Sequence, residues 1–291
     1  MTCSVMTSSV VAPPVFVYLD FGYRKLAHLQ DGEHGIELET QYSLSTLKAD
    51  RSAPHRIVIY TDHPERYADA GVEIVDIRSI AEPYFGDRGY VYRLKPCVLL
   101  HALRQNGGVC VFLDSDMFFY PGFTAAVNAM IEKGAIFWEC QDRPPASFFP
   151  PDLTGFPHRA LHNPSRNFRP DGNSGVIGLK SGWGEPLLED VLWLIDEMRS
   201  RGDGNRLLEQ AAFFEAAWLH GKPVFETTAW VNHYCTNSKK RYMHWRIKKL
   251  IGKKGRPLPP AEPSIPLTMT RVKLYQYYWD AKRTALRLPK R

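Results

Sequence analysis

Along the chain, short apolar runs alternate with stretches that keep helical spacing. Val15 to Asp20, Arg56 to Asp62 and Val72 to Ile77 read as strands rich in Val, Ile, Phe and Tyr. The polar stretch from Glu37 to Lys48 suits a helix. A second helix is predicted over "LKPCVLLHALRQNGG", where Pro96 is tolerable in a first turn and Gly107–Gly108 stop the pattern. A strand follows at once in "VCVFLDSDMFFYPG", Val109 to Gly122. Strands separated by helices predict an α/β fold with a mostly parallel sheet. Ligands of such sheets gather at the carboxyl ends of the strands, and Asp20, Asp62 and Asp114 each end a predicted strand.

Composition narrows the picture. With 291 residues, 44% of them hydrophobic, the chain can bury a full core, which excludes disorder for most of its length. The five cysteines form no CxxC pair and sit mostly in apolar runs, which suits a reducing compartment. The first twenty residues carry no Lys or Arg ahead of their short apolar stretch, and two prolines interrupt it, so neither a signal peptide nor an anchor is expected. No window reaches the roughly 18 apolar residues of a membrane span. A cytoplasmic protein is expected. Charge is unevenly placed: 16 of the 37 Lys and Arg, but only two of the 31 acids, lie between Lys239 and Arg291. A tail of that kind usually meets an anionic surface.

Asp114 and Asp116 stand one residue apart inside an otherwise apolar run. Two carboxylates there are costly unless something neutralises them, and an oxygen-preferring divalent cation, Mn2+ or Mg2+, does so directly. A solvated turn is the bland alternative. A calcium loop would need further oxygen ligands and a glycine at its sixth position, where this segment has apolar residues. A phosphatase using Asp114 as nucleophile would usually carry Thr or Val where Phe118 stands.

The segment "RLKPCVLLHALRQNGGVCVFLDSDMFF" resembles the lysine-bearing helix and Asp-x-Asp strand of nucleotide-sugar glycosyltransferases with the GT-A fold, particularly glycogenin and its relatives in glycosyltransferase family 8. "VFVYLDFGY" is similar to the first strand and nucleotide loop of that family, "GNSGVIGLK" to its strand facing the donor sugar, "LLEQAAFFEA" to a helix start near that sugar, and "HYCTNSK" to its histidine-to-lysine spacing. The ordered set runs from Val15 to Lys239. The resemblance implies a GT-A, Rossmann-like domain over residues 14–238, after a flexible 1–13 and before a basic, aromatic segment, 239–291. It also implies a metal held by Asp114, Asp116 and His233. A nucleotide-diphospho-sugar, UDP by family habit, would be bound by Tyr18, Leu19, Asp20, Tyr23, Asp62, Arg93, Lys95, Ser115, Asn173, Ser174 and Lys239. Glu209, Gln210 and Asp142 are the candidate catalytic groups. Glu209 stands where Asp is usual, so retention and inversion both stay open. Thr236 and Lys240–Arg241 stand where the family has Gly and Pro–Trp, which leaves His244 as a substitute for His233.

The activity implied is metal-dependent transfer of a sugar to a glycan or lipid-linked acceptor, in a setting such as cell-surface polysaccharide synthesis. Replacing Asp114 or Asp116 by Ala is expected to stop transfer and spare the fold. The segment from Ser147 to Gly172, rich in Pro, aromatic and Arg residues, is expected to bind the acceptor or form a lid. "KKRYMHWRIKKLIGKKGR" and "RVKLYQYYWDAKRTALRLPKR" interleave cations with aromatics, as peripheral segments on anionic membranes do. Nucleic acid would also favour such residues, but nothing else reads as a nucleic-acid module. Two other classes remain: a sugar nucleotidyltransferase, which would carry a Gly-rich basic loop after the first strand where "LDFGYRKLAH" has one Gly, and a basic binding protein with an incidental Asp pair.

Overall fold

The computed structural model of the chain describes residues 12–21, 32–86, 89–143, 169–202, 207–251, 260–261, 263 and 265–285. β1 (Val15–Asp20) is followed by α1 (Gly32–Ala49), β2 (Arg56–Thr61) and β3 (Glu73–Asp76). Then come α2 (Leu94–Asn106), β4 (Val109–Leu113), β5 (Met117–Phe119), α3 (Phe123–Ile131), β6 (Ala135–Arg143) and β7 (Arg169–Lys180). α4 (Gly184–Ser200), α5 (Leu208–Leu219), β8 (Val224–Glu226), β9 (Val231–His233), α6 (Asn237–Ile251) and α7 (Met269–Ala285) complete the order.

Seven strands form one sheet in the order β3-β2-β1-β4-β7-β6-β8. β3, β2, β1 and β4 are mutually parallel, β7 runs antiparallel to both neighbours, and β8 is parallel to β6. The mostly parallel α/β fold expected from the sequence is therefore present. Alternation along the strands explains why their runs are apolar throughout. Val15 and Val17 join the core under α2, α4 and α5, whereas Phe16 and Tyr18 join the core under α1 and α3. A strand covered on both faces has no polar side to show.

The apolar run from Val109 to Gly122 is two strands. β4 lies in the large sheet and β5 leaves it to pair antiparallel with β9. Asp114, Ser115 and Asp116 span the step between the two sheets. The step is held at both ends: Asp114 N–H donates to Gly175 O at 2.8 Å, and Tyr234 N–H donates to Asp116 O at 3.0 Å.

The basic C-terminal stretch is partly built into the core. Tyr242, Met243 and Ile247 of α6 pack with Tyr42 of α1, Phe118 of β5, Tyr234, and Val272 of α7. The division expected between residues 238 and 239 falls inside α6. Among the described residues, no helix is long and apolar enough to cross a membrane.

Candidate active site

β1, β2 and β4 end together, with Asp20 in register with Thr61 and Tyr18 with both Ile59 and Leu113. Asp20, Asp62 and Asp114 thus stand along one edge, as their places in the sequence predict. Their side chains meet different fates. Asp20 is buried and accepts a hydrogen bond of 2.7 Å from the Tyr67 hydroxyl; its Oδ1 has no partner among the described residues. Burial raises its pKa, and the Tyr67 hydrogen bond opposes that shift. Asp62 is only partly covered and has His63 Nε2 at 3.8 Å.

Asp114, Asp116 and His233 each present a ligand atom within 4.8 Å of the others. His233 Nε2 lies 3.0 Å from Asp116 Oδ1 and 3.9 Å from Asp114 Oδ2. β9 delivers the imidazole, and the β5–β9 pairing sets Met117 opposite His233. Trp138 meets its ring edge to face at 4.8 Å. Gly175 clears the space: a Cβ there would stand 2.4 Å from Met117 Cε and 2.7 Å from His233 Cε1. The glycine of the Asn-Ser-Gly string is thus what lets β7 pass under the histidine. Two carboxylates and an imidazole suit a divalent cation.

Two lysines flank the trio. Lys95, from the first turn of α2, places Nζ 3.2 Å from Asp114 Oδ1, 3.3 Å from Glu209 Oε1 and 3.2 Å from Ser174 O. Burial works against its charge, but Asp114 and Glu209 outweigh burial and hold its pKa above that of an ordinary lysine. Lys240 places Nζ 2.8 Å from Asp116 Oδ2 and 3.8 Å from Glu39 Oε2. Burial would raise the Asp116 pKa; His233 and Lys240 prevail and hold it far below the usual carboxylate range. Glu209 resolves the other way. Burial pushes its pKa up, and Lys95 only moderates the rise. The Ser174 hydroxyl donates to Glu209 Oε1 at 3.2 Å.

Three site residues escape the sequence reading. Glu39 of α1 is buried, accepts from Ser115 Oγ at 3.3 Å and has His244 Nε2 at 2.6 Å. Lys240, the neighbour of the expected Lys239, is the lysine that meets Asp116. Tyr90 accepts the Glu209 backbone N–H at 3.2 Å and so fixes the start of α5. His244 answers Glu39, while His233 faces the aspartates.

The remaining expected residues divide. Asn173 Oδ1 accepts the Gly175 N–H at 2.8 Å and shapes β7. Gln210 is half-buried beside Glu209. Leu19 is partly buried and packs on the core. Tyr18 is buried, 2.9 Å from Ser43 Oγ through its hydroxyl. Arg93 forms two hydrogen bonds of 2.8 Å with Asp196 on α4. Asp142 lies within β6, opposite Pro170. Tyr23, the Asp142 side chain and residues 147–168 of the expected acceptor segment lie outside what the structure describes.

No protein-family profile matches the chain, and no curated protein matches it in sequence. Among solved structures it is similar to one titled "PaToxG Glycosyltransferase", at 12% identity, with 91% of this chain and 84% of that chain covered and a TM-score of 0.40. So loose an overlap has no bearing on chemistry.

Proposed function

We propose that the protein is a metal-dependent glycosyltransferase of GT-A type, moving a sugar from a nucleotide-diphospho-sugar, UDP-linked by preference, to a glycan or lipid-linked acceptor. The observation that carries this reading is the convergence of Asp114, Asp116 and His233 at the parallel strand ends, with Lys95 and Lys240 on either side. That is the placement a diphosphate needs: anionic ligands for a cation, and cations for the phosphate charge that remains.

In this reading Asp114, Asp116 and His233 hold Mn2+ or Mg2+. The cation, when bound, supplies Lewis acidity to the departing diphosphate. Lys95 and Lys240 keep fixed positive charge where negative charge develops, so no reorganisation is needed during transfer. Asp20, with an oxygen still to be satisfied, and Asp62 hydrogen-bond the nucleoside. Ser115, Asn173 and Ser174 line the sugar side. Glu209 is held by Lys95 and Ser174; Glu209 and Asp142 are the two candidates to take the proton of the acceptor hydroxyl, and Gln210 or Glu209 would lie beneath the anomeric carbon if transfer retains configuration. Cell-surface polysaccharide assembly is a setting that would supply such an acceptor.

The test is thermal stability with UDP- and GDP-sugars, with manganese and then with chelator. A ligand bound only by the folded state raises stability by about RT ln(1 + [L]/Kd), roughly 2.7 kcal/mol at a hundredfold excess over Kd. A metal-dependent shift for one sugar nucleotide, with release of free diphosphate and no nucleotide incorporation, is expected. No shift with any of them overturns the reading.

A further inference from the structure

α7 is apolar on two sides. Its inner seam is Val272, Tyr275 and Trp279; Tyr275 packs against Tyr242 and Trp245 of α6, with ring centroids 5.7 and 5.2 Å apart. The second stripe faces away from that seam. Leu274, Tyr277, Tyr278 and Ala281 follow the i, i+3, i+4, i+7 spacing of one helix face and are all exposed, Tyr277 at 78% and Leu274 at 63%. At 3.6 residues per turn, Arg271 and Lys273, both exposed, fall on the two borders of this stripe.

α6 continues the surface. Trp245, Lys248, Lys249 and Leu250 are exposed, and Lys249 Nζ sits 3.9 Å from the centre of the Trp245 ring. A cleft of about 460 Å³ lined by Trp245, Arg246, Arg271, Leu274 and Tyr278 opens between the helices. Six of the ten large apolar side chains exposed among the described residues lie on these two helices. Asp280 is the only acid in either helix.

We propose that this outward face is a docking surface for an anionic lipid bilayer. A protein partner would be met by an apolar core with a polar rim of mixed sign; here Arg271, Lys273, Lys248 and Lys249 border the face against the single acid Asp280, and the apolar centre is Tyr, Trp and Leu, the residues that settle at a headgroup boundary. No described helix can cross a bilayer, so the contact lies in the plane of the surface. α6, which continues this face through Trp245 and Lys249, carries Lys240 and His244 on its inner side, so docking would hold the strand-end site at a fixed height above the headgroups. The proposal does not rest on the sugar-transfer reading, and its test needs neither donor nor metal.

The test is co-sedimentation of the full chain with phosphatidylglycerol–phosphatidylcholine vesicles and with pure phosphatidylcholine vesicles, at low and high salt. Binding to the anionic vesicles at least about tenfold above the neutral ones, lost in high salt, is expected. Arg271→Ala with Lys273→Ala should weaken it on the order of twentyfold, at roughly fivefold per basic residue. Leu274→Ser with Tyr277→Ser and Tyr278→Ser should weaken it further. If the triple variant fails to fold, the charge pair alone decides. Equal binding to both vesicle types, no binding, or variants that bind like the parent overturn the proposal. So does vesicle-independent self-association through this face, which would make a second copy the occupant.

Discussion

The strand-end site and the outer face of the α6–α7 pair carry similar residues and treat them in opposite ways. At the site, both flanking lysines stand against carboxylates: Lys95 against Asp114 and Glu209, Lys240 against Asp116 and Glu39. On the outer face, Arg271 and Lys273 are exposed and Lys249 lies over the Trp245 ring, with one acid in two helices. α6 belongs to both regions. Burial explains the difference, because an unmatched charge is expensive in the interior and cheap at the surface. Substitutions should therefore cost stability at the site and almost none on the face.

Asp116→Ala offers the largest test. The sequence suggests that either aspartate can go without harm to the fold, but Asp116 is buried between His233 and Lys240, whereas Asp114 is partly exposed at 29%. Removing one partner of a buried pair leaves the other uncompensated, at about 3 kcal/mol. We expect Asp116→Ala to lose metal binding and roughly that stability, and Asp114→Ala to lose metal binding with the smaller stability loss. Calorimetry with and without manganese separates the two. Equal melting of both variants would break the contrast.

Lys95→Met should cost roughly 3 kcal/mol at neutral pH, the low end for breaking a buried pair, and reveal a sign. Burial holds the Glu209 pKa above its unfolded value, so the folded state binds the proton more tightly and stability falls as pH rises through the folded pKa. Lys95 moderates that fall. Without it the slope should steepen toward about 1.4 kcal/mol per pH unit between acid and neutral pH. Denaturant unfolding across that range reads the slope, and parallel curves for parent and variant would refute the coupling.

Gly175→Ala sharpens the geometry. The added methyl meets Met117 and His233, and relieving such overpacking costs roughly 1–3 kcal/mol. Manganese affinity should drop with stability, because the imidazole is one of the two groups the methyl crowds. Unchanged affinity would remove His233 from the ligand set.

How much of this could be read from the chain depends on what kind of signal each residue leaves. Strands β1, β2 and β4 were legible because both faces are buried, and Asp114 and Asp116 because carboxylates stand out against Val, Phe and Leu. The departure of β5 into a second sheet left only one mark, the Asp-Ser-Asp break itself. Lys240 was missed for a geometric reason: one residue on a helix is a turn of about 100°, and the run Lys239–Lys240–Arg241 does not say which side faces inward. Glu39 lies 75 positions before Asp114 and sits in a polar stretch, so nothing local marks it as buried. The C-terminal helices looked like an appendage because their charge is conspicuous, while Tyr242, Met243 and Ile247, which tie α6 to the core, are only three side chains among many cations.

The smallest expected effect completes the contrast. Leu274 is 63% exposed on the side of α7 away from its packing seam, so Leu274→Ser removes little buried area and should change stability by no more than about 0.5 kcal/mol. A thermal melt of the soluble full chain measures this, and a loss above about 1 kcal/mol would mean that the face is already covered in the free protein. Near-zero cost carries the more informative consequence. An apolar stripe that contributes nothing to folding is not explained by the fold, and a border in which cations outnumber the single acid selects an anionic occupant; the site, by contrast, matches its cations internally with carboxylates.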